Sequence, residues 1–187
     1  MTNNYTYKDL FFSILLYLLI LLISGFFKYD IIYDRLTENR NENVLKTILL
    51  TSNIITSLVA VIFLMIIIYL VKFTLPFNEN FLSKSEFLYG TTILVFTLSF
   101  FELLKFIYLI FDLDNQIKDI NVDINFMEYI KEISFVKYSN ILNYLSYLFG
   151  SIMFITVIGI HRKKMESKVI LTGLTFFIFL TFIQYIF

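Results

Sequence analysis

The amino-acid sequence predicts an all-α integral membrane bundle of five transmembrane helices, with a short amphipathic segment on its extracytoplasmic side. Three observations predict it. Apolar residues make up 58% of the 187 positions, above the roughly 45–50% usual in a soluble domain, and the mean hydropathy is +0.78. The excess is gathered into five runs: Leu10–Phe27, Thr47–Val71, Phe87–Phe111, Ile141–Ile160 and Val169–Phe187. Each holds at least 18 residues, close to the ~20 that a helix needs to cross ~30 Å of hydrocarbon. None of the runs alternates with a period of two. A β-barrel is therefore not expected, and helices are left as the way to satisfy the backbone in lipid.

The elements follow in order. The first run is preceded by Lys8, offset by Asp9. Its apolar part exceeds the ~7–15 residues of a secretory leader, and no Ala-x-Ala-like site follows, so a retained span is expected. Lys28–Lys46 mixes acids and bases and reads as a solvated loop or short interfacial helix. The second span should end by about Leu75, because the residue before Pro76 resists the helical region. "SKSE", Ser83–Glu86, offers a serine cap with an acid three residues on, opening the third span. The longest connector is Asp112–Asn140. In it Ile120, Val122, Ile124 and Phe126 alternate with polar residues, and from Phe126 onward Ile130 and Ile133 recur at helical spacing. This predicts an extended piece leading into an amphipathic helix at the membrane surface. A tight turn, "HRKKMESK" (His161–Lys168), joins the last two spans. No repeat or linker divides the chain, so residues 1–187 form a single transmembrane domain.

Charge and composition exclude several classes. Fifteen basic and fifteen acidic residues cancel, which argues against nucleic acid as a partner. The chain has no cysteine and one histidine, which removes disulfides, cysteine nucleophiles and histidine-rich metal sites. Asp112, Asp114, Asp119 and Asp123 lack the spacing and glycine of a calcium loop. No phosphate-binding loop, G-x-S-x-G or H-E-x-x-H motif is present. No catalytic residue, cofactor or metal is assigned. Five glycines and one proline leave few of the broken helices that build many transporter sites. Heavy use of Phe, Ile, Leu, Tyr, Asn and Lys suits an AT-rich bacterial genome.

Orientation rests on the basic turn. Lysine and arginine divide evenly between the two sides, but Arg162, Lys163 and Lys164 crowd beside two span ends, where the positive-inside rule weighs most. The turn and the N terminus are placed in the cytoplasm, and the C terminus outside, in a bacterial cytoplasmic membrane. The cluster also attracts anionic lipid at ~1 kcal/mol per charge.

Three constellations carry chemistry. Glu102 and Lys105 lie one turn apart on the third span, in the favourable acid-before-base order. Each charge alone at mid-bilayer costs roughly 2.5–3.5 kcal/mol or more. Either the span ends near Phe106 and Lys105 snorkels to the interface, or the pair contacts a partner helix or lines an ion path. Asn53 and Ser57 share a face of the second span, bordered by Thr56. That face suits helix packing, or a polar path in which Glu102 accepts from it. Ser146 and Gly150, four apart on the fourth span, permit close approach of a neighbouring helix or a second copy.

The back half carries a resemblance. "NILNYLSYLFGSIMFITVIGI" leads through "HRKKMESK" into "VILTGLTFFIFLTFIQYIF". Five spans, a basic turn before the last, and a Gly-Ile exit from the fourth resemble bacterial members of the Yip family of Ypt/Rab-interacting-protein-like membrane proteins. The resemblance covers Lys84–Phe187 as a pattern. The long cytoplasmic N-terminal region and "DLYGP"-like motif of eukaryotic members are missing, so Rab-type binding is not implied. It implies a five-helix membrane protein without enzymatic chemistry, acting by interaction. The expected role is an interaction or adaptor subunit of a membrane assembly. Its partners would be the lipid bilayer and other membrane subunits, or a second copy. The alternative is a small transporter or channel subunit with a polar path near Glu102, Lys105 and Asn53.

Overall fold

The computed structural model describes residues 6–36, 42–74, 82–113 and 134–186. They form five helices: α1 (Tyr7–Leu36), α2 (Glu42–Thr74), α3 (Lys84–Tyr108), α4 (Ser134–Arg162) and α5 (Ser167–Ile186). A π-helical turn, Leu109–Leu113, continues α3. No strand occurs among the described residues. Four helical stretches are long and apolar enough to cross a membrane: Tyr7–Lys28, Lys46–Thr74, Lys84–Phe111 and Lys137–Arg162. The fifth predicted span forms as α5, whose described apolar portion is Ser167–Phe182.

Two boundaries differ from the sequence reading. The polar segment Lys28–Lys46 is largely helical, because α1 continues to Leu36 and α2 begins at Glu42. Likewise α4 begins at Ser134, ahead of its apolar run. Charged residues do not stop a helix that apolar packing has already nucleated. The proposed amphipathic piece, Asp119–Phe135, lies almost wholly outside the described residues.

The ends of α2 and α3 follow local chemistry. The last described residue of α2 is Thr74, two before Pro76. At the start of α3, the Ser83 hydroxyl accepts from the Glu86 N–H at 3.2 Å, and the Glu86 carboxylate accepts from the Ser83 N–H at 2.8 Å. This is the reciprocal cap expected from "SKSE".

The helices run alternately up and down and close into a ring. α3 packs on α1 and α4, α5 on α4 and α2, and α2 on α1. One end gathers the starts of α1, α3 and α5 with the ends of α2 and α4. There Arg162 forks onto Glu86, with Nε and Nη2 each 2.7 Å from a carboxylate oxygen, and donates through Nη1 to Glu166 at 2.7 Å. Inward of this clamp, Phe87, Phe154 and Phe176 stack with ring centroids 5.1–6.4 Å apart. A Cβ on Gly90 would meet the Phe154 ring at 2.7 Å, so α3 and α4 approach as closely as they do because position 90 has no side chain. Gly150 fits against Leu94 of α3. The Ser146-x-x-x-Gly150 pattern, both of whose small residues are buried, therefore serves packing within the chain.

Polarity is inverted relative to a soluble protein. Phe11, Leu15, Ile62, Met65 and Phe73 are exposed, whereas Ser13, Thr91, Thr92, Ser99 and Thr172 are buried. Each of these buried hydroxyls donates to a carbonyl three or four residues back, which satisfies it without a partner helix. The apolar exterior is the surface a bilayer covers.

The α4–α5 turn stores strain. Lys164 N–H donates to the Gly159 carbonyl at 3.1 Å and Lys163 N–H to the Ile160 carbonyl at 3.2 Å, closing a Schellman motif. Its left-handed position, usually glycine, is Lys163, with φ of 54°. Lys163→Gly should raise the thermal midpoint of the purified protein, since a left-handed L-residue costs about 1–2 kcal/mol; an unchanged or lower midpoint would count against this strain. Glu86→Gln keeps the cap but removes the charge facing Arg162. It should destabilise by about 1.5–3 kcal/mol, and the double variant with Arg162→Gln should cost less than the two single losses together. Strict additivity in that cycle would mean the clamp carries no coupling.

Candidate functional site: a polar cavity inside the helix ring

The opposite end of the ring is hollow. Mostly small or polar residues line a partly open pocket there, and on α1, α2 and α3 they recur at spacings of three, four and seven, which places them on one face of each helix. On α1 these are Leu21, Ser24, Gly25 and Lys28. On α2 they are Asn53, Thr56, Ser57 and Ala60. On α3 they are Glu102 and Lys105, followed by Leu109 of the π-helical turn, and Ser139 joins from α4. The pocket holds about 200 Å³. A larger cavity of about 540 Å³ adjoins it and shares Thr56 and Ala60. All five helices line the larger one, through Tyr17, Phe63, Leu98, Tyr147 and Leu180 among others.

The charged pair lies inside the span. The described part of the α3 span covers Lys84–Phe111, and both Glu102 and Lys105 fall within it. Lys105 does not snorkel outward. It is 8% exposed, donates to the Glu102 carboxylate, and donates to Asn143 Oδ1 of α4 at 2.5 Å. A cation held by an anion and a neutral acceptor inside a low-dielectric bundle is far better satisfied than either charge alone. Of the sequence readings, contact with a neighbouring helix is the one the hydrogen bond to Asn143 forms.

Asn53 faces a different neighbour from the one expected. Its Nδ2 donates to the Leu22 carbonyl of α1 at 3.0 Å, and its Oδ1 accepts from Ser57 at 3.4 Å. Glu102 therefore does not accept from Asn53, although both line the smaller cavity. The approach of α1 depends on Gly25, where a Cβ would lie 1.8 Å from Asn53 Oδ1.

Lys28, Ser139 and Asn143 were not singled out from sequence. Lys28 read as the first residue of a loop, yet it continues α1 and is half-buried in the cavity wall. The signal for it was the helical register with Ser24 and Gly25. Of the basic turn, Arg162 is committed to the Glu86 clamp, while Lys163 and Lys164 are exposed.

Deeper in the bundle, toward the basic turn, Ile67, Val71, Leu94, Phe154, Ile158 and Phe176 fill the interior. At the hollow end, Asn140, Asn143 and Gln184 border the larger cavity. The Gln184 side-chain oxygen has no hydrogen-bond partner among the described residues. No cluster of three metal-ligating side chains occurs among the described residues. The arrangement offers ammonium, carboxylate, amide and hydroxyl groups to a space between helices.

Gly25→Ala should push Asn53 off Leu22 and destabilise the protein by about 1–3 kcal/mol. In an Asn53→Ala background the same change should cost much less, because the clashing amide is gone. Equal costs in both backgrounds, measured by thermal unfolding, would rule out this contact as the reason for the glycine. Comparison with protein-family models, with curated proteins and with solved structures finds no match to this chain.

Proposed function

We propose that this chain is a small, non-enzymatic, multi-pass membrane protein that binds a polar or charged ligand inside its helix ring, as a transporter subunit does. One observation carries the reading: Glu102 and Lys105 line the smaller pocket, their partner Asn143 lines the larger one beside it, and a tightly packed core fills the bundle on the side of the basic turn. Helix packing alone does not need a hollow around its buried charges, since unpaired volume forfeits contact energy. A pocket between helices is a common form of binding site.

A second reading keeps the protein as an interaction or adaptor subunit, in line with the Yip-like pattern of its back half. It is favoured by α1, where Phe11, Phe12, Leu15 and Leu16 form an exposed apolar face that a partner helix or a second copy would cover as well as lipid does.

The readings separate on Glu102→Gln. In proteoliposomes, gradient-driven flux of protons or small ions should fall at least tenfold in the variant while the protein stays folded. A variant that loses a co-purifying subunit, with no flux ever detected for the parent, favours the adaptor. For location, we propose the cytoplasmic membrane of a bacterium, with the N terminus and the basic turn inside. Reporter fusions at the turn and after Phe187 should signal cytoplasm and exterior respectively; a cytoplasmic C terminus would reverse the orientation.

A further inference from the structure

We infer that the two adjoining cavities together hold a single-chain amphiphile with an anionic head, a phosphate or a carboxylate, placed at Lys28 and Lys105 with its tail in the apolar end. The inference rests on the binding role proposed above and names the ligand class for that site.

Charge is the first argument. Among the described residues lining the smaller cavity, two are ammonium groups, Lys28 and Lys105, and one is a carboxylate, Glu102. Glu102 is engaged by Lys105, which leaves the wall with one excess positive charge. A half-buried cation without a counter-ion loses hydration that nothing replaces, and a bound anion offsets that loss. Donors are also present. An ammonium carries three N–H groups, and Lys105 has used two, on Glu102 and Asn143. The Ser139 hydroxyl lines the same space.

The second argument is the gradient along the bundle. Lys28, Lys105, Asn143 and Gln184 mark the hollow end, whereas deeper toward the core the walls are Phe63, Leu64, Leu98 and Leu180. A small inorganic anion would leave the apolar part unused, and a hydrocarbon would leave the lysines unused. An amphiphile uses both and points the way a lipid of that leaflet points. The larger cavity, about 540 Å³, lies within the ~300–1,000 Å³ of small-molecule sites. Entry is from the side: Val59 of α2 and Tyr144 of α4 line the cavity and are also exposed on the outer surface.

The test uses the full chain in phosphatidylcholine nanodiscs, titrated by native mass spectrometry with four probes: dodecyl phosphate, dodecanoate, dodecyltrimethylammonium and inorganic phosphate. At least one anionic amphiphile should bind saturably, one per chain, at least tenfold more tightly than the cation of equal tail. The stronger of the two identifies a phosphate-headed or a carboxylate-headed ligand. Lys28→Gln should weaken that probe about tenfold. Ala60→Phe, which narrows the shared wall without altering charge, should weaken it as well, so the result does not hang on one variant that fails to fold. The inference is overturned by equal binding of cation and anion, by unchanged affinity in both variants, or by inorganic phosphate binding as tightly as dodecyl phosphate. If no amphiphile binds while Glu102-dependent flux persists, the ligand class falls and the binding role stands. If both are absent, both fall.

Discussion

The pairing of α3 with α4 is the interaction on which the rest of the bundle depends. It is fastened at both ends by charge. Arg162 forks onto Glu86 beside the basic turn, and Lys105 reaches Asn143 at the hollow end. Between them Gly90 and Gly150 let the helices close on each other's side chains. Forked arginine–carboxylate pairs are directional as well as strong, so the first clamp sets rotation and depth together. α1 then packs on the free side of α3 and α5 on the free side of α4, and α2 joins those two into a ring.

Why the ring is solid at one end and hollow at the other follows from side-chain volume. Near the clamp, three phenylalanines from α3, α4 and α5 meet over the glycine at position 90. At the opposite end the inward positions are Ser24, Gly25, Asn53, Ser57 and Ala60 on α1 and α2. These are too short to fill the space that the larger residues of α3 and α4 hold open. There Asn53 and Lys105 find partners across helices, whereas the hydroxyls, at both ends, bond within their own helix.

Much of this was legible in the sequence. The five apolar runs, the stop ahead of Pro76 and the reciprocal cap at Ser83 all rest on local rules, because backbone satisfaction in lipid and capping geometry involve neighbours in the chain. The site was legible only in part. Glu102, Lys105, Asn53 and Ser57 stand out as polar residues in apolar runs, and all four border one cavity. Lys28 was missed because a charge at the end of an apolar run looks like the start of a loop. Its register with Leu21, Ser24 and Gly25 was the available clue. Arg162 read as a topology signal because its partner, Glu86, lies 76 residues away.

The sequence by itself determined the class, the helices and which residues would be costly to leave unpaired, since those depend on hydropathy, periodicity and the price of charge in hydrocarbon. Only the tertiary structure decided which partner each polar group takes: Asn143 for Lys105, Leu22 for Asn53, Glu86 for Arg162. Helix faces are periodic and several neighbours are compatible with each. The choice among them is made by close approach at Gly25 and Gly90, where missing side chains bring particular helices together and leave a cavity where they do not meet.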